Sequence, residues 1–443
     1  MQIREAGKRK IKSMTKMKKG HGRHGRLMRL LLALTAVVFC LTGFAGEPRW
    51  WKGNTHTHSL WSDGDQYPEL IVEWYKEHGY QFLALSDHNV MLVGEKWIDA
   101  LTNKGGEAGL KKYVERFGTN WVEQRESGER QQVRLKTLEE FRPKFEEAGR
   151  FLMIPGEEIN ASFAKKPIHL NATNLRKVLQ PKSGDSAYEV IQNNINAILA
   201  QRKETGEPVI PHINHPNFEW SLAAEDIMRV EGERFLEIYN GHPITRNYGD
   251  TNHASHERIW DIVLTRRLAE FGTEPMWGTA VDDSHNYHEM KIGHSNPGRG
   301  WIMVRAAELS APALIGAMET GDFYASSGVT LKDVRRNTGE LAIEIQAEPG
   351  VSYVTQFIGT RKGYDPLNEP VTIEGQPVHT THRYSKDVGA VLAEVRGTNP
   401  SYKLEGNEIY VRAKVISSKK KENPMAQGDV ECAWVQPVVP RKL

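Results

Sequence analysis

Histidines and carboxylates recur in short motifs along the first two thirds of the chain, each in or just after an apolar run. They are His56 and His58 in NTHTHS, Asp87 and His88 in LSDHN, Glu157 and Glu158 in PGEE, His169 in IHLNA, His212 and His215 in HINHP, and Asp282, Asp283 and His285 in DDSH. Imidazole and carboxylate groups without a nearby cysteine suit Zn, Mn or Fe ions. We therefore predict a site for divalent metal ions that activate water for hydrolysis.

The spacing within these motifs supports a shared site. His56 and His58 are two residues apart, and side chains two apart on an extended chain point to the same side. Asp283 and His285 have the same spacing. Glu157 and Glu158 are adjacent, so only one of them can enter the site.

The elements that must position these groups alternate between strand-like and helix-like runs over residues 50–335. LIVEWYKEHG and SAYEVIQNNINAILAQRKETG are two of the helix-like runs. This alternation predicts an α/β fold, with a parallel sheet or a (β/α) barrel. In a barrel, the carboxyl ends of the strands meet at one mouth, which would bring the motifs together. Residues 95–147 interrupt the alternation with a charged, largely helical pattern, and we predict an insertion over one face.

The pattern changes again in residues 338–443. Runs such as LAIEIQAE and EIYVRAKVIS alternate with a period of two and are separated by Gly, Pro and Asn. We predict a small antiparallel, β-sandwich-like domain without catalytic residues.

The N-terminus, residues 1–45, is rich in Lys and Arg and ends in an apolar run with small residues. This is the pattern of a secretory signal peptide, cleaved after Ala45. We predict an exported protein, periplasmic or extracellular, with no stable membrane partner after cleavage. An N-terminal membrane anchor is the alternative.

Charge restricts the class of partner. Residues 1–45 hold 11 Lys or Arg and one Glu, against 58 Lys or Arg and 56 Asp or Glu in the whole chain, so the rest carries a formal charge of −8. An acidic surface argues against nucleic acid as a partner, because binding to phosphates needs clustered Lys and Arg. We expect a small-molecule substrate, and the sequence does not specify an oligomeric state.

The motifs HTHSLWSDG, LSDHN, PGEE, IHLNA, HINHP and DDSH resemble, in order, those of the PHP (polymerase and histidinol phosphatase) family of metal-dependent phosphoesterases. The resemblance covers about residues 53–329. It implies a distorted (β/α)7 barrel, similar to a TIM barrel, with two or three divalent ions per chain. The ligands that it implies are His56, His58, Glu158 and Asp283 for the first ion, with Glu158 bridging, His169 and His215 for the second, and Asp63, His88 and His285 for the third.

The resemblance implies hydrolysis of a phosphoester by a metal-bound water held by Glu158, Asp283, His215 and His285. The run GDFYASSG resembles a PHP branch that includes a carbaryl hydrolase, so a carboxylic ester, carbamate or amide hydrolase stays open as the alternative. A degenerate barrel without activity is a second alternative. Against it, all nine ligand positions are filled with competent residues.

Further residues are candidates for supporting the ligands or binding substrate. Arg246 and Arg299 are candidates for binding an anion, because the guanidinium fork matches phosphate oxygens. Trp61, Trp220 and Tyr239 are candidates for pocket walls. The remaining candidates are Asp87, Glu157, His212, Asn240, His242, Asp282, His288 and His294.

Overall fold

The structure is a computed structural model that describes residues 46–232 and 234–440. It has a mixed α/β architecture built on one large sheet. The predicted signal peptide, residues 1–45, lies outside the described residues, so export remains a prediction.

The helices of the described chain begin and end at standard signals. The hydroxyl of Ser186 accepts the amide of Glu189 at the start of the longest helix, which ends at Gly206 in the left-handed conformation. Thr137 and Glu140 form a capping box. The helices are α1 Pro68–Glu77, α2 Gly106–Phe117, α3 Leu138–Phe145, α4 Ala187–Thr205, α5 Ala224–Ile227, α6 His256–Arg266 and α7 Ala311–Glu319. No described helix has both the length and the apolar character to span a bilayer.

Strands make up most of the remaining regular structure. They are β1 Arg49–Asn54, β2 Phe82–Leu85, β3 Lys96–Asp99, β4 Gln124–Ser127, β5 Arg130–Leu135, β6 Leu152–Phe163, β7 Lys166–Thr173, β8 Ile210–Ile213, β9 Phe235–Asn240, β10 Trp277–Val281, β11 Trp301–Ala306, β12 Phe323–Ser326, β13 Leu331–Asn337, β14 Glu340–Ile345, β15 Tyr353–Arg361, β16 Asn368–Glu369, β17 Thr372–Ile373, β18 Gln376–Pro377, β19 Arg383–Tyr384, β20 Ala390–Arg396, β21 Ser401–Lys403, β22 Glu408–Lys420 and β23 Val430–Val438.

The main sheet has 13 strands in the order β10-β9-β8-β7-β6-β2-β1-β11-β12-β23-β22-β15-β20. Its two end strands do not pair within the described residues, so the closed barrel is not confirmed. The simple βα repeat breaks at β6, which pairs in parallel with β2 and then forms an antiparallel hairpin with β7. An isolated parallel bridge between Thr57 and Ser284 joins the segments that follow β1 and β10.

The strands that carry the motifs are apolar at their start and polar towards their end. Phe82, Phe235 and Trp277 are the first residues of β2, β9 and β10, and they belong to one buried cluster. His88 lies three residues beyond the last residue of β2, and Glu237 is the third residue of β9. The sheet is therefore apolar where these strands begin and polar at their carboxyl ends. Burial of the apolar residues stabilises the alignment of the strands and so the positions of the polar ends.

The predicted insertion is only in part helical. Beside α2 and α3 it contains a separate antiparallel sheet of β3, β5 and β4. It is joined to α1 through Glu69, which is buried and whose Oε1 accepts from Tyr113 Oη at 2.5 Å and Trp121 Nε1 at 2.9 Å.

The strands from Leu331 onward are antiparallel, in agreement with the period-two pattern. β23 pairs with β12, so the last strands continue the main sheet. Arg412 on β22 forms a two-point ion pair with Asp261 on α6, at 2.6 and 2.7 Å. That residues 338–443 form a separate domain remains a prediction.

Candidate metal centre

Glu158 lies at the centre of a cluster that contains all nine predicted ligands. Its Oε1 is 3.1 Å from His169 Nδ1, 3.3 Å from His215 Nε2 and 3.4 Å from His56 Nε2, and its Oε2 is 2.6 Å from His88 Nδ1 and 3.5 Å from His58 Nε2. Burial alone would raise the pKa of Glu158, but the surrounding imidazoles, His88 foremost, lower it well below its ordinary value. An anionic carboxylate with imidazoles at both oxygens is placed to bridge two cations.

Asp283 closes the cluster on the side of β10. Its Oδ1 is 3.4 Å from His56 Nε2, 3.3 Å from His58 Nε2 and 3.5 Å from His285 Nδ1. The backbone of Asp283 is left-handed, with a φ of 49°. This conformation is costly for a residue other than glycine and is typical of functional sites, where the surrounding structure enforces it.

Asp63 forms the outer edge of the cluster and is 40% exposed. Its Oδ1 is 3.1 Å from His285 Nε2 and 3.4 Å from His88 Nε2. Lys104, from the insertion, brings its Nζ to within 3.2 Å of the other carboxylate oxygen. Lys104 could not be predicted as part of the site, because it lies outside every motif.

The donor atoms fit divalent cations. His56 Nε2 and both ring nitrogens of His58 are buried without a hydrogen-bond partner among the described residues. A buried polar atom of this kind is costly unless something binds it. Among the described residues, five overlapping sets of donors share the spacing of a single cation site, with all atoms of a set within 4.8 Å of one another. They are His58, Asp63, His88 and His285; His56, His58 and Glu158; Glu158, His169 and His215; His56, His215 and Asp283; and His56, His212 and Glu237.

Glu237 is a functional residue that the sequence reasoning missed. It is fully buried, and its Oε1 lies 2.6 Å from His56 Nδ1. Its Oε2 accepts from the backbone amide of His215 at 2.8 Å. The available signal was a single carboxylate in the apolar strand FLEIYN, because a buried charge needs a partner.

His212 and Asn240 lie behind the ligands, around Glu237. His212 is buried on β8 with its Nε2 3.4 Å from Glu237 Oε1. Asn240 donates to Glu237 Oε2 at 2.9 Å and to Asp283 Oδ2 at 3.0 Å. Asn240 is buried and does not line the pocket, so it supports the ligands and is not placed to touch substrate.

The carboxylates beside the ligands point away from the cluster. Glu157 accepts from the backbone amide of Leu179, and burial raises its pKa to about 7. Asp87 accepts from Ser59 and Ser62 and has no hydrogen bond to a ligand histidine, so it holds the turn after His58. Asp282 accepts from Tyr75 and from the backbone amides of residues 298–300, and burial raises its pKa.

The arginine candidates are not at the pocket. Arg299 is fully buried, and its guanidinium donates to the backbone oxygens of residues 241, 291, 294 and 423 and to two asparagine side chains. Arg246 is exposed and stacks over Trp220, 4.7 Å from its ring centroid. Neither guanidinium faces the cluster, so an anion-binding role is not supported for either.

The remaining candidates also lie outside the pocket lining. Trp61 donates to the backbone oxygen of Lys136, and Tyr239 accepts from Lys421. His288 contacts the backbone oxygen of Asp65. His294 Nδ1 is buried without a partner.

The cluster opens into a pocket of about 280 Å³. The lining residues that are not predicted ligands are Lys104, Phe218, His242, Ile244, Thr245 and Asn286. His242 Nδ1 accepts the amide of Ile244 at 3.3 Å, and burial lowers the pKa of His242 to about 4. The ring is therefore neutral at pH 7 and carries its proton on Nε2. The run GDFYASSG forms β12 and its flanks, and none of its residues lines this pocket.

No protein-family model matches the chain, and no curated protein sequence matches it. Solved structures do. A two-domain protein from Bacteroides vulgatus, described as containing a predicted PHP-like metal-dependent phosphoesterase, is 14% identical with a TM-score of 0.38, over 88% of this chain and 95% of that one. A candidate metal-dependent phosphoesterase from Bifidobacterium adolescentis is 13% identical with a TM-score of 0.26, over 54% and 89%.

A third solved structure is an amidohydrolase from Chromobacterium violaceum with bound sulfate and no metal. It is 12% identical with a TM-score of 0.28, over 53% of this chain and 88% of that one. PHP-like metal-dependent phosphoesterases are thus among the solved structures that this chain resembles. At these identities and TM-scores, the similarities do not assign an activity to the chain.

Proposed function

We propose that this protein is a metal-dependent hydrolase of phosphoesters, with two or three divalent ions per chain drawn from Zn, Mn or Fe. The observation that carries the proposal is Glu158, a buried carboxylate with imidazoles at both oxygens. The sequence motifs that resemble the PHP family supply the choice of phosphoester. When bound, divalent ions lower the pKa of a coordinated water and neutralise charge on the reacting oxygens.

The chain's own residues hold the ions and orient the ligands. Glu158, Asp283 and Asp63 supply the negative charge that retains cations in the pocket. Glu237 accepts from His56 Nδ1 and turns Nε2 of that ring towards Glu158. An outer partner of this kind is usual for a histidine that binds a metal.

Two groups at the pocket are placed to act on the substrate itself. His242 keeps an Nε2–H donor, which suits a hydrogen bond to an ester or phosphoryl oxygen. Lys104 adds a positive charge at the outer edge of the cluster. A charge in a partly enclosed site attracts an anionic substrate more strongly than the same charge in bulk water.

The test is hydrolysis by metal-loaded and chelator-treated protein of three substrates: an aryl phosphate, a bis-aryl phosphate and an aryl carboxylic ester. We expect turnover of a phosphate ester that chelation abolishes and added Mn or Zn restores. Turnover of the carboxylic ester alone would replace the phosphoesterase with the carboxyl-ester alternative. Absence of metal binding and of all turnover would favour a barrel without activity.

We separately propose that the protein is exported. The basic, then apolar, N-terminus supports export and cleavage after Ala45. N-terminal sequencing of the protein recovered from its native host tests it. A membrane-bound protein with an intact N-terminus would show an anchor instead.

A further inference from the structure

The pocket has an apolar side formed by two short turns, Phe218–Trp220 and Pro243–Thr245. Phe218 and Ile244 line the pocket from these turns, and the Ile244 side chain is half exposed. The Phe218 ring centroid is 5.2 Å from that of His215 and 5.8 Å from that of His169. An apolar surface therefore lies directly beside two of the proposed metal ligands.

The turn that carries Phe218 is held in a strained shape. Glu219 and Trp220 both have left-handed backbones, with φ values of 52° and 54°. Trp220 stacks on His253 at 3.8 Å, and Lys166 donates to the backbone oxygen of Glu219 at 2.7 Å. Such strain persists only where surrounding contacts enforce it, and here it fixes Phe218 against the pocket.

A second part of the pocket lining, beside Asp63, carries a single cation, Lys104. Lys104 belongs to the insertion, and its ammonium group donates to the backbone oxygen and to one carboxylate oxygen of Asp63. An ammonium group has three N–H donors, so one remains for a ligand. No arginine lines the pocket among the residues that the structure describes.

The volume limits what can occupy the pocket. Pockets for drug-sized molecules measure roughly 300–1,000 Å³. At about 280 Å³, this pocket is just below that range. It suits a single compact group beside the reacting centre.

We propose that the pocket selects a compact phosphate monoester with an apolar leaving group. Phe218 and Ile244 hold that group, and Lys104 binds a phosphoryl oxygen. The inference rests on the proposed phosphoesterase function and names its substrate class. An aryl phosphate fits both sides, whereas a methyl phosphate leaves the Phe218 side in contact with water, at a cost in transition-state binding.

Binding and turnover test this separately. Binding of phenylphosphonate and methylphosphonate, which are not hydrolysed, is measured by calorimetry on Mn-loaded protein. Hydrolysis is measured with phenyl phosphate and methyl phosphate. We expect the native protein to prefer the phenyl compound in both assays, by about 10-fold or more.

Substitutions test the apolar residues Phe218 and Ile244 separately from the cation Lys104. Phe218→Ala should remove most of the phenyl preference in phosphonate binding, and Ile244→Thr, at a half-exposed position where folding is not at risk, should reduce it about 3-fold. Lys104→Met should weaken both phosphonates about equally and leave the preference unchanged. Val391→Ala, at an exposed apolar residue on β20, is the control and should change nothing. Metal content is measured for every variant.

The outcomes distinguish this inference from the proposed function. A phenyl preference in phosphonate binding that survives both Phe218→Ala and Ile244→Thr within 2-fold overturns the inference. Equal hydrolysis of phenyl and methyl phosphate also overturns it, while the phosphoesterase function stands. A preference in phosphonate binding that depends on Phe218, without hydrolysis of any ester, supports the subsite and overturns the proposed reaction.

Discussion

The Nδ1 atom of His56 lies 2.6 Å from Glu237 Oε1, and both side chains are fully buried. A carboxylate accepts, so His56 Nδ1 donates to Glu237, and the other ring nitrogen, Nε2, faces Glu158 in the cluster. The second oxygen of Glu237 accepts the backbone amide of His215. One carboxylate outside the cluster therefore orients two of the residues inside it.

We predict that Glu237→Gln weakens metal binding about 10- to 100-fold while the protein remains folded, because an outer partner tunes the ligand without replacing it. The measurement is titration of metal-free protein with Zn in the presence of a competing chelator. Glu204→Gln is the matched control, since Glu204 is exposed and pairs with Lys177 at the surface. Native affinity in Glu237→Gln would show that Glu237 does not orient His56.

The candidate ligands could be predicted because each lies in a short motif with its own spacing. His56 and His58 share one side of an extended chain whatever the rest of the protein does. Glu237 and Lys104 could not be found in this way. Glu237 is a single charge in an apolar strand, and Lys104 reaches the site only through the packing of the insertion.

The sequence predicted the α/β class of the fold, but the closed barrel that it also predicted is not confirmed. Apolar runs indicate that strands exist, but not which strands they pair with. The twelve residues of β6 serve two partners, β2 along the first part and β7 along the second. Arg299 illustrates the same limit for side chains, because its burial against backbone oxygens depends on how distant loops pack.

We predict that the ion pair between Asp261 on α6 and Arg412 on β22 contributes strongly to the stability of the protein. Both side chains are buried, and Tyr410 also donates to Asp261. Arg412→Met leaves a buried carboxylate without its partner, and we expect a loss of about 3–5 kcal/mol in the free energy of unfolding. Urea denaturation measures it.

The double variant Asp261→Leu with Arg412→Met should recover much of this loss, since both charges of the pair are removed together and Glu257 keeps its contact with Lys414. Arg361→Met is the control, because Arg361 pairs with Glu405 at the surface and such pairs contribute about 0–1 kcal/mol. A loss below about 1 kcal/mol in Arg412→Met would mean that the pair does not join α6 to β22 energetically.

We predict that the buried ammonium group of Lys421 makes the stability of the protein depend on pH. It donates to Tyr239 Oη at 2.7 Å, and burial lowers the pKa of Lys421 from 10.5 to about 8. Between these two values the unfolded chain binds more protons than the folded protein, so this residue's contribution to stability rises with pH. Relative to Lys421→Met, the native protein should gain on the order of 2–3 kcal/mol from pH 7 to 10.5.

Urea denaturation of both proteins at several pH values measures this difference, and Lys420→Met is the control at the neighbouring exposed position. A difference between native protein and Lys421→Met that stays constant over the range would show that Lys421 keeps its charge when the protein folds.

The two adjacent carboxylates of β6 provide the sharpest test of the site. Glu158 faces the histidines, whereas Glu157 accepts from the amide of Leu179 on the other side of the sheet. We predict that Glu158→Gln loses most bound metal and that activity falls to background, because charge is removed from two cation positions at once. Glu157→Gln should keep its metal, with an effect on activity of about 10-fold or less.

Glu157→Gln is the matched control for this experiment, since it makes the same chemical change one residue away on the same strand. Elemental analysis gives metal per chain for both variants, and hydrolysis of an aryl phosphate gives the rate. Circular dichroism shows whether each variant is folded. Loss of metal from Glu157→Gln together with retention by Glu158→Gln would place the opposite face of β6 at the ions, and the bridging role of Glu158 would be wrong.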